Sequence, residues 1–162
     1  MTHREERGLR AGTENVALAV AIGAAAQLAR DDLAAGGPQR LAGLRDRLHA
    51  GLADALPGRV VLNGHAGERL PNTLNLSLAG VPGDELLAAA ADVAASTGSA
   101  CHAGATEPSP VLTAMGLDRD RALSAVRLTV GRWSAESDVD RATERLATAA
   151  RGLLSHRVVH VT

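Results

Sequence analysis

The sequence predicts an α/β fold of the α+β kind, a short sheet with flanking helices over residues 58–162, preceded by two helices. Three observations carry this reading. Short β-patterned runs alternate with helical ones from residue 58 onward. Two runs rich in leucine and alanine, with helical spacing, stand before them. The length of 162 residues suits one ordinary domain, or a small domain with an appended segment. The expected organisation is a first part over 1–35, a linking helix over 36–57 and a small α/β domain over 58–162.

The elements follow in order. Residues 1–10 are highly charged and lead into Ala11-Gly12-Thr13-Glu14-Asn15. Thr13 or Asn15 is placed to cap a helix from Val16 to about Leu33. That helix is apolar on nearly every face, which predicts burial against something larger than itself. Gly36-Gly37-Pro38 stops it. A second helix runs from about Gln39 to Ala55, with Leu41, Leu44, Leu48, Leu52 and Leu56 at helical spacing and arginines on the other face.

After Pro57-Gly58 the pattern changes. Val60 to Leu62 reads as a short strand, and Asn63 to Gly67 as a loop. Thr73 to Leu78 alternates apolar and polar residues, as a half-buried strand does. Pro82-Gly83-Asp84-Glu85 opens a helix, its carboxylates structural and favoured by the helix N-terminus. Asp92 to Ala95 reads as a short extended piece, Pro110 to Met115 as a helix, and Ala125 to Val130 as a strand. Glu136 to about Leu154 closes as an amphipathic helix. Val158 and Val159, between His156 and His160, indicate an extended tail there rather than a metal-binding helix face.

Composition excludes several classes. With one tryptophan and no phenylalanine or tyrosine, the core must be built from Leu, Val and Ala. The net charge of −1 leaves no basic footprint for nucleic acid. No apolar run reaches the roughly 20 residues that a membrane helix needs. A lone cysteine forms no internal disulfide and no signal peptide opens the chain, so the expected compartment is the cytoplasm. No metal site is expected.

The cysteine itself is the residue most suited to chemistry. Cys101 stands in Ser96-Thr97-Gly98-Ser99-Ala100-Cys101-His102-Ala103-Gly104, a stretch of small and hydroxylic residues rather than an apolar run. A thiol on such a loop reads as a nucleophile, against the simpler reading of a small packing residue. His102 either tunes the thiol, ligates a metal or is an exposed loop residue, the last being preferred. All seventeen basic residues are arginine, so the chain contains no lysine.

Several strings together resemble one family. Arg7-Gly8-Leu9-Arg10-Ala11-Gly12-Thr13-Glu14-Asn15-Val16 is similar to the segment after the cofactor lysine of cysteine desulfurases. Pro71-Asn72-Thr73-Leu74-Asn75-Leu76-Ser77 resembles the first central strand of their small domain, and Ser96 to Cys101 their active-site loop. Pro108-Ser109-Pro110-Val111-Leu112 resembles the helix start that follows, and Arg127-Leu128-Thr129-Val130-Gly131-Arg132 their Arg-x-Ser-x-Gly-Arg strand end. These strings occur in the family's order from about residue 5 to 150.

The resemblance implies a class-V aminotransferase-like enzyme of the fold-type I pyridoxal 5'-phosphate group. It implies a mostly antiparallel small-domain sheet, with residues 1–35 as the end of the cofactor-binding large domain. Such enzymes take sulfur from L-cysteine, leaving L-alanine and an enzyme persulfide. Cys101 would then be the nucleophile and persulfide carrier, and Arg127 the partner of the substrate carboxylate. Asn75 would lie near the substrate, and Thr13 would reach the cofactor phosphate of the neighbouring subunit, which implies a homodimer. Arg132 is equally suited to substrate binding and to an ion pair. A sulfur-acceptor protein would follow, in iron–sulfur cluster assembly or another pathway.

The family's Schiff-base lysine has no counterpart here, since no lysine occurs. The chain is therefore expected to be the C-terminal portion of a desulfurase, inactive alone and dependent on a complementing N-terminal chain that binds the cofactor. A non-catalytic sulfur carrier or scaffold-docking module, and an inactive remnant, are the competing readings.

Overall fold

The structure, a computed structural model, describes residues 4–5, 10–98 and 107–159. The chain divides into two units, Met1–Gly37 and Pro38–Thr162. In the first, strand β1 (Arg4–Glu5) pairs antiparallel with β2 (Arg10–Ala11), a small ribbon that the charged composition of the segment conceals. Helix α1 spans Val16–Ala34. Of the two cap candidates Asn15 takes the role, its Oδ1 accepting from the Leu18 N–H at 3.0 Å.

The expected burial of α1 is not met. None of its residues is buried, and Val16, Leu18, Val20 and Ile22 are 61 % to 71 % exposed. A helix that is apolar all round needs cover on every side. Among its described residues, this unit offers one helix and a two-stranded ribbon, with no second layer to supply it.

The second unit is built on a three-stranded antiparallel sheet. Helix α2 (Gly37–Ala55) leads to β3 (Val60–Leu62), β4 (Thr73–Leu78) and helix α3 (Gly83–Ala89). Helices α4 (Pro110–Ala114) and α5 (Arg119–Leu123), strand β5 (Ala125–Thr129) and helix α6 (Glu136–Val159) follow. The strand order is β3-β4-β5. Leu76 lies opposite Val126 and Leu74 opposite Leu128, so period-2 alternation sends these side chains to one face. There they meet Leu44, Leu48, Leu52 and Leu56 of the α2 stripe, Leu86 of α3, and Leu146, Ala147 and Ala150 of α6. A second, smaller cluster of Leu112, Ala122 and Ala125 covers part of the opposite face.

Polar clasps hold the helices over this core. Arg47 of α2 grips Asp140 of α6 with two parallel bonds, Nε–Oδ1 at 2.7 Å and Nη2–Oδ2 at 2.8 Å. Arg151 donates to the Ala55 carbonyl, and Arg40 to the carbonyls of Arg132 and Ser134. Two glycine positions allow close approach. Gly51 faces Thr143 of α6, and a Cβ on Gly83 would stand 2.5 Å from the Ala125 carbonyl oxygen.

Two local expectations are corrected, and one short helix is added to them. Asp92 to Ala95 is not a strand: the Val93 N–H turns back to the Ala90 carbonyl, and only Ser96 bridges to Arg127. Helix α5 has no periodic signature, being a single turn capped by Asp118, whose side chain accepts from the Arg121 N–H. The C-terminal tail is not extended before 160, because α6 continues through Val159. His156 is therefore helical, with Nδ1 2.7 Å from the Gly152 carbonyl, while His160 lies outside the described residues.

Two predictions follow from packing. Leu52→Ala, at a fully buried position, lowers stability by about 2–5 kcal/mol in urea unfolding. Gly83→Ala destabilises as well, because the new methyl meets backbone rather than a movable side chain. A third concerns the start of α6. Asp138 is held below the usual carboxylate range by the bond it accepts from the Ala135 N–H and then by Arg141. A depressed carboxylate stabilises above its unfolded value of about 3.9 and ceases to do so as pH falls through the folded value. The melting temperature of Asp138→Ala therefore lies below wild type from pH 7 to 5, and the gap closes in stronger acid.

Candidate functional site

The site is assembled on the sheet face opposite the leucines. In β4 this face carries Thr73, Asn75 and Ser77, and in β5 it carries Ala125, Arg127 and Thr129. The register sets Asn75 directly opposite Arg127, so two residues 52 positions apart in sequence share one patch. Directly opposed side chains on one face have Cβ atoms about 4.5–5.5 Å apart, within mutual reach.

Burial grades along this face. Ser77 is buried under α5, its hydroxyl donating to the Arg121 carbonyl at 2.7 Å. Asn75 is half-buried and Arg127 exposed. The Arg127 guanidinium makes no hydrogen bond or ion pair with a described residue, whereas its backbone is fully engaged. On one side it pairs with β4. On the other, the Arg127 N–H donates to the Ser96 carbonyl at 2.6 Å and the Ser96 N–H to the Arg127 carbonyl at 3.2 Å. Ser96 begins the cysteine-bearing string, and its Oγ both donates to the Gly98 carbonyl and accepts from the Gly98 N–H. The root of that string is thus hydrogen-bonded to the strand that carries the Arg127 guanidinium.

Behind Asn75 lies a buried polar network. Asn63, 7 % exposed just after β3, donates from Nδ2 to Asn75 Oδ1 and to Ser77 Oγ, both at 2.9 Å. Arg121 donates from Nε to Asn63 Oδ1 at 3.0 Å and from Nη2 to the Leu62 carbonyl at 2.9 Å. Neither Asn63 nor Arg121 is singled out by sequence reasoning. Asn63 reads as the first residue of a loop, and Arg121 as one arginine among seventeen. The available signal is an amide-bearing residue directly ending an apolar strand.

Thr13 belongs to the first unit, exposed two residues before the α1 cap, and its hydroxyl has no bond to a described residue. Cys101 and His102 lie outside the described residues. Arg132 is exposed, and its carbonyl is held by Arg40. A cleft of about 150 Å³ beside the end of β5 is lined by Leu48, Val93, Thr129, Val130 and Val139, and by neither Asn75 nor Arg127. Among the described residues no group of three or more His, Cys, Asp or Glu is arranged to hold a metal, and no helix is long and apolar enough to cross a membrane.

With this geometry in place, comparison with known proteins is decisive. Residues 2–142 match the family described as Aminotransferase class-V. The chain belongs to that family. Its relatives include Cysteine desulfurase IscS of Anaeromyxobacter sp. (strain Fw109-5), 44 % identical over 148 residues. That match covers 91 % of this chain and 36 % of the relative. Cysteine desulfurase of Mus musculus is 42 % identical over 141 residues, covering 87 % of this chain and 30 % of that protein. A solved structure of a NifS-like protein superposes with a TM-score of 0.74 at 27 % identity, over 90 % of this chain and 36 % of that one. The family member described here therefore spans about a third of the length of the curated relatives it matches.

Pyridoxal phosphate, which the family implies, does not find a complete site in these 162 residues. Its imine needs an amine side chain, and the sequence has no lysine.

The network predicts its own sensitivity. Asn63→Ala leaves Asn75 Oδ1, Ser77 Oγ and the Arg121 Nε–H without their partner in a buried place. The expected loss is about 1–3 kcal/mol in denaturant unfolding, with faster amide exchange in α5 as the local signature.

Proposed function

We propose that this chain supplies the sulfur-accepting and carboxylate-binding part of a cysteine desulfurase. The observation that carries the reading is the Asn75–Arg127 pair: a guanidinium with no described partner, set on a rigid sheet beside an asparagine. Bidentate arginine is the side chain best shaped for a carboxylate, so Arg127 takes the carboxylate of L-cysteine. Identity above 40 % to cysteine desulfurases supports the substrate class.

Cys101 stands five positions after Ser96, the residue paired to Arg127. In this proposal its thiolate attacks the sulfur of L-cysteine. An S–S bond forms, the substrate C–S bond breaks, and the carbon keeps the electron pair and takes a proton to give L-alanine. Pyridoxal phosphate, if bound, would supply the electron sink for that carbon. A lysine-bearing partner segment would have to anchor it, and Thr13 would offer a hydroxyl to its phosphate from a neighbouring subunit. The Cys101 persulfide then passes its sulfur to an acceptor protein in the cytoplasm, iron–sulfur cluster assembly being one destination.

The absence of lysine also favours a second reading, in which the chain alone serves as a sulfur carrier loaded through Cys101. The two separate in one experiment, combining the chain with the lysine-bearing segment of a family relative and pyridoxal phosphate. Under the first reading, L-alanine appears from L-cysteine only in the combination, and Cys101→Ser abolishes it. Arg127→Gln raises KM for L-cysteine by roughly tenfold or more, the loss of one charge-assisted contact. If the combination makes no L-alanine while the chain alone gains sulfur from a persulfide donor, the carrier reading replaces the desulfurase one.

A further inference from the structure

The polarity of the Asn75 carboxamide can be deduced, and it extends the proposed substrate site. A guanidinium carries donors only. Because Arg121 Nε points at the Asn63 carboxamide from 3.0 Å, the atom facing it must be the oxygen. The Asn63 NH2 group then faces the other way, toward Asn75 and Ser77, and both of its hydrogens are used. Ser77 can accept one of them because its own proton goes to the Arg121 carbonyl. The atom of Asn75 that receives the other must be its oxygen. Its NH2 group is left as the free end of the side chain, with no bond to a described residue.

Each link in this relay is fixed by something more rigid than itself. Arg121 is held by its second bond to the Leu62 carbonyl and by its place in the Asp118-capped turn of α5. Asn63 is buried, and its backbone N–H donates to the Asn75 carbonyl at 3.0 Å. The amide orientation of Asn75 is therefore set from inside the protein, two residues away from any ligand. On the same sheet face, in direct register, stands the Arg127 guanidinium, also a donor without a described partner.

We propose that Asn75 Nδ2 and the Arg127 guanidinium form one all-donor subsite for a carboxylate, with Asn63 and Arg121 as the positioning residues that keep Asn75 in its donor orientation. The proposal rests on the reading of Arg127 as the carboxylate partner. It adds the second donor and the device that orients it. An asparagine free to rotate would offer its oxygen to an anion half the time, and lone-pair repulsion would weaken the site.

The test uses the full chain uniformly labelled with ¹⁵N, in which the side-chain NH2 signals of Asn15, Asn63, Asn72 and Asn75 and the Arg127 side-chain NH are followed. Hydrogen exchange of the Asn63 NH2 is expected to be at least about tenfold slower than that of Asn75, reflecting its two buried bonds. Titration with L-alanine shifts the Asn75 NH2 signals saturably, and ethylamine, which lacks the carboxylate, does not. Asn63→Asp keeps an acceptor for Arg121 but removes both donors to Asn75 and Ser77. With its backbone spectrum showing the fold intact, it weakens the L-alanine response of Asn75 by about fivefold or more.

A fast-exchanging Asn63 NH2 overturns the relay. So does an Asn75 response to L-alanine that is absent in wild type or unchanged in Asn63→Asp. Failure of the wider desulfurase reading looks different: no sulfur reaches Cys101 in the combined assay, whatever the asparagine signals do. If the Arg127 side-chain NH signal responds to L-alanine and Asn75 does not, the carboxylate reading stands and the two-donor subsite falls.

Discussion

The pairing of β4 with β5 is the constraint from which the rest of this chain follows. Side chains alternate with period two, so a slip of one residue would send Leu74, Leu76 and Leu78 to the outer face and Asn75 and Ser77 into the core. The buried leucines oppose that slip strongly, each contributing roughly 1.5–3 kcal/mol by burial. The hydrophobic core therefore does more than stabilise. It fixes which polar residues face outward, and it brings Asn75 opposite Arg127 as a by-product of bringing Leu76 opposite Val126.

On the outer face the same register gathers the polar residues of the candidate site. At one end the polar groups are buried and satisfy one another, through Asn63, Ser77 and Arg121. At the other end Arg127 is exposed and its guanidinium has no partner among the described residues. This gradient, from satisfied and rigid to open and donor-rich, is what a binding site needs. The short helix α5 is central to it. Its five residues bring no periodic apolar face of their own, yet Arg121 locks the network and Ala122 and Ala125 pack beneath it.

Much of the second unit was legible in the sequence because its signals were simple. The β4 alternation gave the strand at Thr73–Leu78, and the leucines of α2 marked the stripe that covers the core. The short antiparallel sheet and the class-V resemblance also hold. The misses have physical reasons. The β1–β2 ribbon and α5 are too short for periodicity to show. Asp92–Ala95 has strand-like residues, but its backbone turns back on α3. Valines near the C-terminus favour extension locally, and the register of α6 overrides them. At the candidate site, Arg127 and Asn75 carry a motif signal, while Asn63 and Arg121 do not. Their importance comes from hydrogen bonds across 12 and 58 positions, which no local pattern encodes. The apolar character of α1 was read correctly, but the cover it calls for is not supplied by its own unit.

The central claim is that the β4–β5 register presents Asn75 and Arg127 together to a carboxylate. A crystal structure of the chain, combined with a lysine-bearing segment and soaked with L-alanine, tests it most directly. The account predicts the ligand carboxylate within hydrogen-bond distance of both Arg127 and Asn75 Nδ2, with the Asn75 oxygen turned inward to Asn63. A carboxylate bound elsewhere, with Arg127 still unengaged, would contradict it.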